Sequence, residues 1–112
     1  MSIQDKIQAE FLNAENSRLS GNEGKARVCA RRAAGMALRE YLISISRDRP
    51  ELNNFEILVD NGIRQILPGE IHPALNHLTM RVGMDYNLPA GIDLLKDARQ
   101  VVQILNKGEN NG

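Results

Sequence analysis

The side chains that could carry chemistry in this chain of 112 residues are two histidines, one cysteine and a row of arginines. His72 and His77 are the candidates for proton transfer at neutral pH or for metal ligation. A helical metal pair needs ligands three or four residues apart on one face, and a separation of five turns these two about 140° from each other. No metal site is therefore expected, and surface or helix-end histidines are the plainer reading. Cys29 lies between Val28 and Ala30 with no histidine near it in sequence to activate the thiol. Arg32, one turn along, supplies positive charge, but free cysteine is among the most buried residue types and a structural thiol is expected. Asp93 and Asp97 stand where the last helix begins, so they read as caps and complements of its dipole rather than as an acid–base pair.

Two further patterns concern anions. Gly21-Asn22-Glu23-Gly24-Lys25-Ala26 places a lysine after a glycine. A phosphate loop needs four residues between its glycines, a Ser or Thr after the lysine and a strand before it. Here two residues separate the glycines, Ala26 follows Lys25 and a helix precedes, which makes the stretch a helix cap. The second pattern is a basic seam. Arginines held along a helix can neutralise phosphates and give salt-sensitive, sequence-independent binding. Lys25, Arg32 and Arg39 share one side of the second helix and are the candidate nucleic-acid contacts. The plainer reading is a solvated face, or one that pairs with acidic groups elsewhere in the chain.

Charge arithmetic leaves both readings open. Fourteen basic and fourteen acidic side chains cancel overall, so no global field advertises a polyanionic partner. Residues 1–50 nevertheless hold nine basic and six acidic groups, and residues 51–112 hold five and eight. The excess is concentrated between Arg18 and Arg49, where eight cations face three carboxylates. One cysteine excludes an intramolecular disulfide and every multi-cysteine zinc module. The opening Met1-Ser2-Ile3-Gln4-Asp5-Lys6 lacks the layout of a signal peptide, and no apolar run approaches the roughly 20 residues that span a bilayer. A cytoplasmic chain without membrane contact or cofactor is expected.

The elements that must position these groups are helical. Ser2 and Asp5 make a start signal, Ile3, Ile7, Phe11 and Ala14 follow at helical spacing, and Gly21 supplies a left-handed stop, giving a first helix over about 3–19. Asn22 caps a second helix that runs without proline from Gly24 to Ser46. Its wheel gathers Ala26, Ala30, Ala33, Ala34, Ala37, Leu38, Tyr41 and Ile45 on one face and leaves Val28, Met36 and Leu42 among the cations. Beyond Pro50, the spacing of Leu52, Phe55, Leu58 and Val59 predicts a broken helix or two short ones, interrupted at Asn61-Gly62. Pro68-Gly69 is a turn. A helix over about 73–82, a turn-rich stretch over 83–91 and a last helix over about 92–106 complete the pattern. No period-two alternation supports a sheet. The expected fold is all-α, an up-and-down bundle of four to five helices in one domain over 1–106, with a polar tail over 107–112.

The turn Leu19-Ser20-Gly21-Asn22 followed by Ala26, Ala30, Ala33-Ala34, Ala37-Leu38 and Leu42 resembles the opening helix pair of HEPN-domain proteins. Asp93-Leu94-Leu95-Lys96-Asp97-Ala98-Arg99-Gln100-Val101-Val102 resembles their closing helix. The resemblance covers about half the chain. It implies a bundle of four or five helices, often a homodimer, in a family of ribonucleases, toxins and inactive binding versions. Active members carry an arginine, four to six residues and a histidine. Arg81 is followed by Tyr86 and Asn87 in that window, and seven residues separate Arg64 from His72. The expectation is accordingly a non-catalytic module that dimerises and binds a protein or RNA partner. The alternative is a metal-independent ribonuclease in which Arg64 or Arg81 steadies the phosphate and His72 or His77 moves the proton.

Overall fold

The computed structural model describes residues 2–80, 89 and 91–110, without the side chains of 107–110. Arg81 and nearly all of the expected turn-rich stretch lie outside the described residues. The chain is all-α, with six helices and no strand among the described residues. These are α1 (Ile3–Leu19), α2 (Glu23–Ser44), α3 (Glu56–Val59), α4 (Asn61–Gln65), α5 (His72–Leu78) and α6 (Leu94–Asn110). A 3-10 turn, Gly69–Ile71, leads into α5.

Local chemistry sets the helix ends. The Ser2 hydroxyl accepts from the Asp5 amide and the Asp5 carboxylate accepts from the Ser2 amide, a reciprocal cap that satisfies two orphan donors. At the other end Gly21 sits at φ 84°, and the amides of Gly21 and Asn22 return to the carbonyls of Arg18 and Ser17. That is the Schellman closure, which needs a left-handed residue at this position. Asn22 Oδ1 then accepts from the Lys25 amide at 3.0 Å and starts α2, so the Gly21–Ala26 stretch is a cap. The far end of α2 repeats the closure with Ser46 at φ 58°, its amide bonded to Ile43 and that of Arg47 to Leu42. This left-handed serine ends the helix two residues before the expected limit.

α2 packs against both α1 and α6, and α6 packs against α5. Alanines at 26, 30, 33, 34 and 37 are all buried, and their small side chains let flanking helices approach closely. A helix flanked on two sides buries more than a single narrow stripe. Cys29, Gly35 and Leu42 are therefore buried as well, whereas Tyr41 is half-buried and Ile45 exposed. Around α2 the core is built from Ile7, Phe11 and Ala14 of α1, Leu75 and Leu78 of α5, and Leu94, Ala98, Val101 and Leu105 of α6.

Residues 51–55 are not helical. Asn53 Oδ1 accepts from the amides of Phe55 and Glu56, and the Glu56 carboxylate accepts from the Asn53 amide, so helix begins only beyond Asn53. The break before α4 falls at Asp60, whose extended backbone lets its carboxylate accept from the Ile63 amide at 2.9 Å. Asn61-Gly62 belongs to α4 itself. Thr79 ends α5 by returning its hydroxyl to the Leu75 carbonyl. α6 starts later than expected, behind the Asp93 cap, and continues past Asn106 to Asn110.

Candidate functional site

Arg64 and His72 lie on adjoining segments, but each is occupied in holding the fold. The Arg64 guanidinium donates twice to the Leu58 carbonyl, at 3.1 and 2.9 Å, and reaches Asn76 and Thr79 on α5. It thereby satisfies a carbonyl of α3 that its short helix cannot pair, and burial lowers its affinity for the proton. His72 donates from Nε2 to the backbone carbonyl of Arg64 at 2.9 Å, which ties α5 to α4. His77 faces elsewhere and bonds through Nδ1 to Asp97 on α6 at 3.0 Å. Asp97 thus joins two helices besides complementing the α6 dipole. Asp93 is the cap proper, accepting from the amides of Leu95 and Lys96. Arg81 lies outside the described residues. No described residue therefore places a free guanidinium beside a free imidazole.

The basic seam divides in two. Arg39 is a staple: Nε donates to Asn54 Oδ1 at 3.2 Å, Nη1 to Asp48 at 2.8 Å and to the Arg49 carbonyl at 2.9 Å, and Nη2 to the Leu52 carbonyl. One planar fork pins the whole connection from α2 to α3. Arg18 is likewise engaged, by Glu23 at 2.6 Å and Asp93 at 2.9 Å, and its guanidinium holds the Asp93 carboxyl below its ordinary range. Arg49 pairs with Glu51 and Asp60. Part of the N-terminal charge excess is thus neutralised within the chain, and Arg99 of α6 returns the exchange by pairing with Glu15 and lying 4.6 Å over the Phe11 ring.

Lys25 and Arg32 differ. Both are exposed, and neither side chain has an ion pair or hydrogen bond among the described residues. Next to Arg32, Arg31 spends Nε on the Leu78 carbonyl at 2.8 Å. Burial first, and the neighbouring charge of Arg27 second, disfavour its proton. Between these arginines opens a cavity of about 210 Å³ lined by Val28, Arg31, Arg32, Asn54, Phe55 and Leu58. Val28 and Phe55 are 41% and 51% exposed, while Leu58 is fully buried. A larger cleft of about 660 Å³ runs along α6 past Arg18, Asp93, Lys96, Arg99 and Gln103, but two of its three cations are already paired.

Sequence reasoning placed Lys25 and Arg32 on this surface and missed Arg31, Asn54 and Phe55. Val28 among the cations of α2 was the available signal. Phe55 keeps helical spacing with Leu58 and so reads as part of the expected broken helix.

Cys29 is 2% exposed, and burial together with the adjacent Glu10 carboxylate pushes its thiol up from the ordinary value. It has neither access nor an activated thiolate. An aromatic disulfide reagent at neutral pH is expected to modify the folded protein roughly a hundredfold more slowly than the urea-unfolded chain. Equal rates would place the thiol outside the core.

No family model, curated protein or solved structure matches this chain. Among the described residues no group of three or more His, Cys, Asp or Glu gathers to hold a metal ion, and no helix is long and apolar enough to cross a membrane.

Proposed function

We propose that this chain is a non-catalytic helical binding module whose working surface is the first half of α2 together with the approach to α3, and that it docks an acidic protein segment. The carrying observation is that Arg32 and the Nη groups of Arg31 stand without partners among the described residues beside an apolar opening, with the unpaired Lys25 further toward the start of α2. Arg64, His72 and His77, by contrast, are engaged in helix-to-helix ties. The resemblance to HEPN-domain proteins, whose members include inactive binding versions, agrees with this reading. A protein segment is the better partner because the opening between the cations is walled by Val28, Phe55 and Leu58 and suits an apolar side chain flanked by carboxylates. Asn54, the one side-chain amide among the described residues of the cavity wall, has its oxygen already taken by Arg39. A two-fold homodimer through this face would set Arg31 and Arg32 against their own copies. Self-association therefore belongs to another face, such as that of α1, where Leu12 and Leu19 are exposed.

The test compares polyglutamate with single-stranded RNA of matched charge at low salt, without added metal. Polyglutamate should be retained with salt-sensitive affinity, Lys25→Glu plus Arg32→Glu should abolish retention with the circular dichroism unchanged, and the RNA should remain intact. Cleaved RNA would restore the ribonuclease alternative, and polyglutamate binding indifferent to the double substitution would remove the surface from consideration. Tighter retention of RNA than of polyglutamate, lost in the same variant, would assign the surface to nucleic acid.

A further inference from the structure

Resting on that reading, we infer that the cavity between α2 and the approach to α3 receives one bulky apolar side chain of the acidic segment, which serves as its anchor. The lining is aliphatic and aromatic: Val28 and Phe55 at the mouth, Leu58 among the walls, and Arg31 and Arg32 flanking it. A volume of about 210 Å³ holds a leucine-, methionine- or phenylalanine-sized group and little more. Small recognition pockets of this kind are mostly apolar with a few polar groups that fix orientation. Val28 and Phe55, both half-exposed, give the opening an apolar rim.

The opening is preformed rather than adaptable. Gly35 lets the Asn54 backbone lie against α2, Arg39 pins Asn54 through its side chain, and Leu58 is fully buried. A wall held in this way loses little freedom on binding, which favours a single anchor over diffuse contact. The charge around the opening selects what flanks the anchor. Carboxylates on either side of it would meet Arg31 and Arg32, a basic segment would be repelled, and a second copy of this face carries the same cations.

The experiment uses three short synthetic peptides against the full chain. The first is a glutamate–serine peptide with one central leucine, the second has serine in place of that leucine, and the third is a lysine–serine peptide with the leucine kept. The leucine-bearing acidic peptide should bind about tenfold tighter than its serine counterpart, from the transfer of one aliphatic side chain out of water. It should also shift the amide resonances of Val28 and Phe55. Phe55→Ala and Val28→Thr, both at exposed positions, should each shrink the tenfold gap while leaving the affinity of the serine peptide unchanged. Equal binding of the two acidic peptides would overturn the anchor and leave the charged surface of α2 standing. Failure of both acidic peptides to bind would remove the anchor and the binding surface together. Equal binding of the lysine peptide would overturn the charge selection.

Discussion

Gly35→Ala is expected to destabilise the fold by roughly 1–3 kcal/mol, the usual cost of forcing an added methyl into a packed contact. The direction is the informative part. In the interior of a helix, alanine is preferred to glycine by about 1 kcal/mol, so propensity alone predicts that the substitution stabilises α2. A Cβ built at Gly35 would stand 2.9 Å from both the Cβ and the backbone carbonyl oxygen of Asn54, closer than carbon atoms tolerate. The carbonyl cannot swing aside as a flexible side-chain tip would, because Arg39 holds the side chain of that residue and the Arg49 and Leu52 carbonyls of the backbone leading to it. Packing should therefore outweigh propensity. Gly24→Ala supplies the control, since a Cβ there meets only the Asn22 side chain at 3.9 Å. That variant should be neutral or stabilised by up to about 1 kcal/mol. Urea unfolding of both proteins reads the comparison directly. A gain in midpoint for Gly35→Ala would mean that the α2–α3 connection does not lie against the helix. The wall of the proposed pocket would then be lost with it.

How far the sequence could be read depends on the distance over which each feature is decided. Helix ends set by a few neighbouring atoms were legible: Ser2 with Asp5, Gly21 in its left-handed turn, and Asn22 before α2 are all where their side-chain chemistry required. The alanine face of α2 was legible for the same reason, since periodicity is a local property. What was not legible is what depends on distant partners. Leu42 was placed with the cations because a wheel assumes one buried side, whereas α2 is packed on more than one. Phe55 has helical spacing to Leu58 and was placed in the expected broken helix, but the Asn53 cap delays the helix and leaves the ring half-exposed. The arginines were the hardest. Sequence position says only that Arg32 and Arg39 share a side of α2. Which one meets carbonyls and which meets solvent is decided by the path of the chain beyond Pro50.

That difference gives the second large effect. Arg39→Ala should cost roughly 2–4 kcal/mol, in the range for losing several hydrogen bonds from a charged group, whereas Arg32→Ala should change stability by less than about 0.5 kcal/mol, as at an ordinary surface site. Arg39 is 20% exposed at its side chain and serves Asp48, the carbonyls of Arg49 and Leu52, and Asn54 at once. Truncation leaves those acceptors short of donors in a connection with no regular secondary structure to satisfy them. An isolated exposed ion pair would be worth far less, so the expected size depends on the fork acting on all four partners together. Arg39→Lys separates these contributions. Lysine restores the charge opposite Asp48 but cannot span the two carbonyls and the amide oxygen with a planar group, so it should recover less than half of the loss. If Arg39→Lys restores full stability, the interaction is electrostatic attraction to Asp48 and the staple is wrong. If Arg39→Ala matches Arg32→Ala, both arginines belong to the solvated seam and the pocket wall has no fastening. The expected outcome carries over to binding. Arg32→Ala should weaken acidic peptides in a folded protein of unchanged stability, while Arg39→Ala should weaken the leucine-dependent part of the affinity through displacement of Asn54 and Phe55.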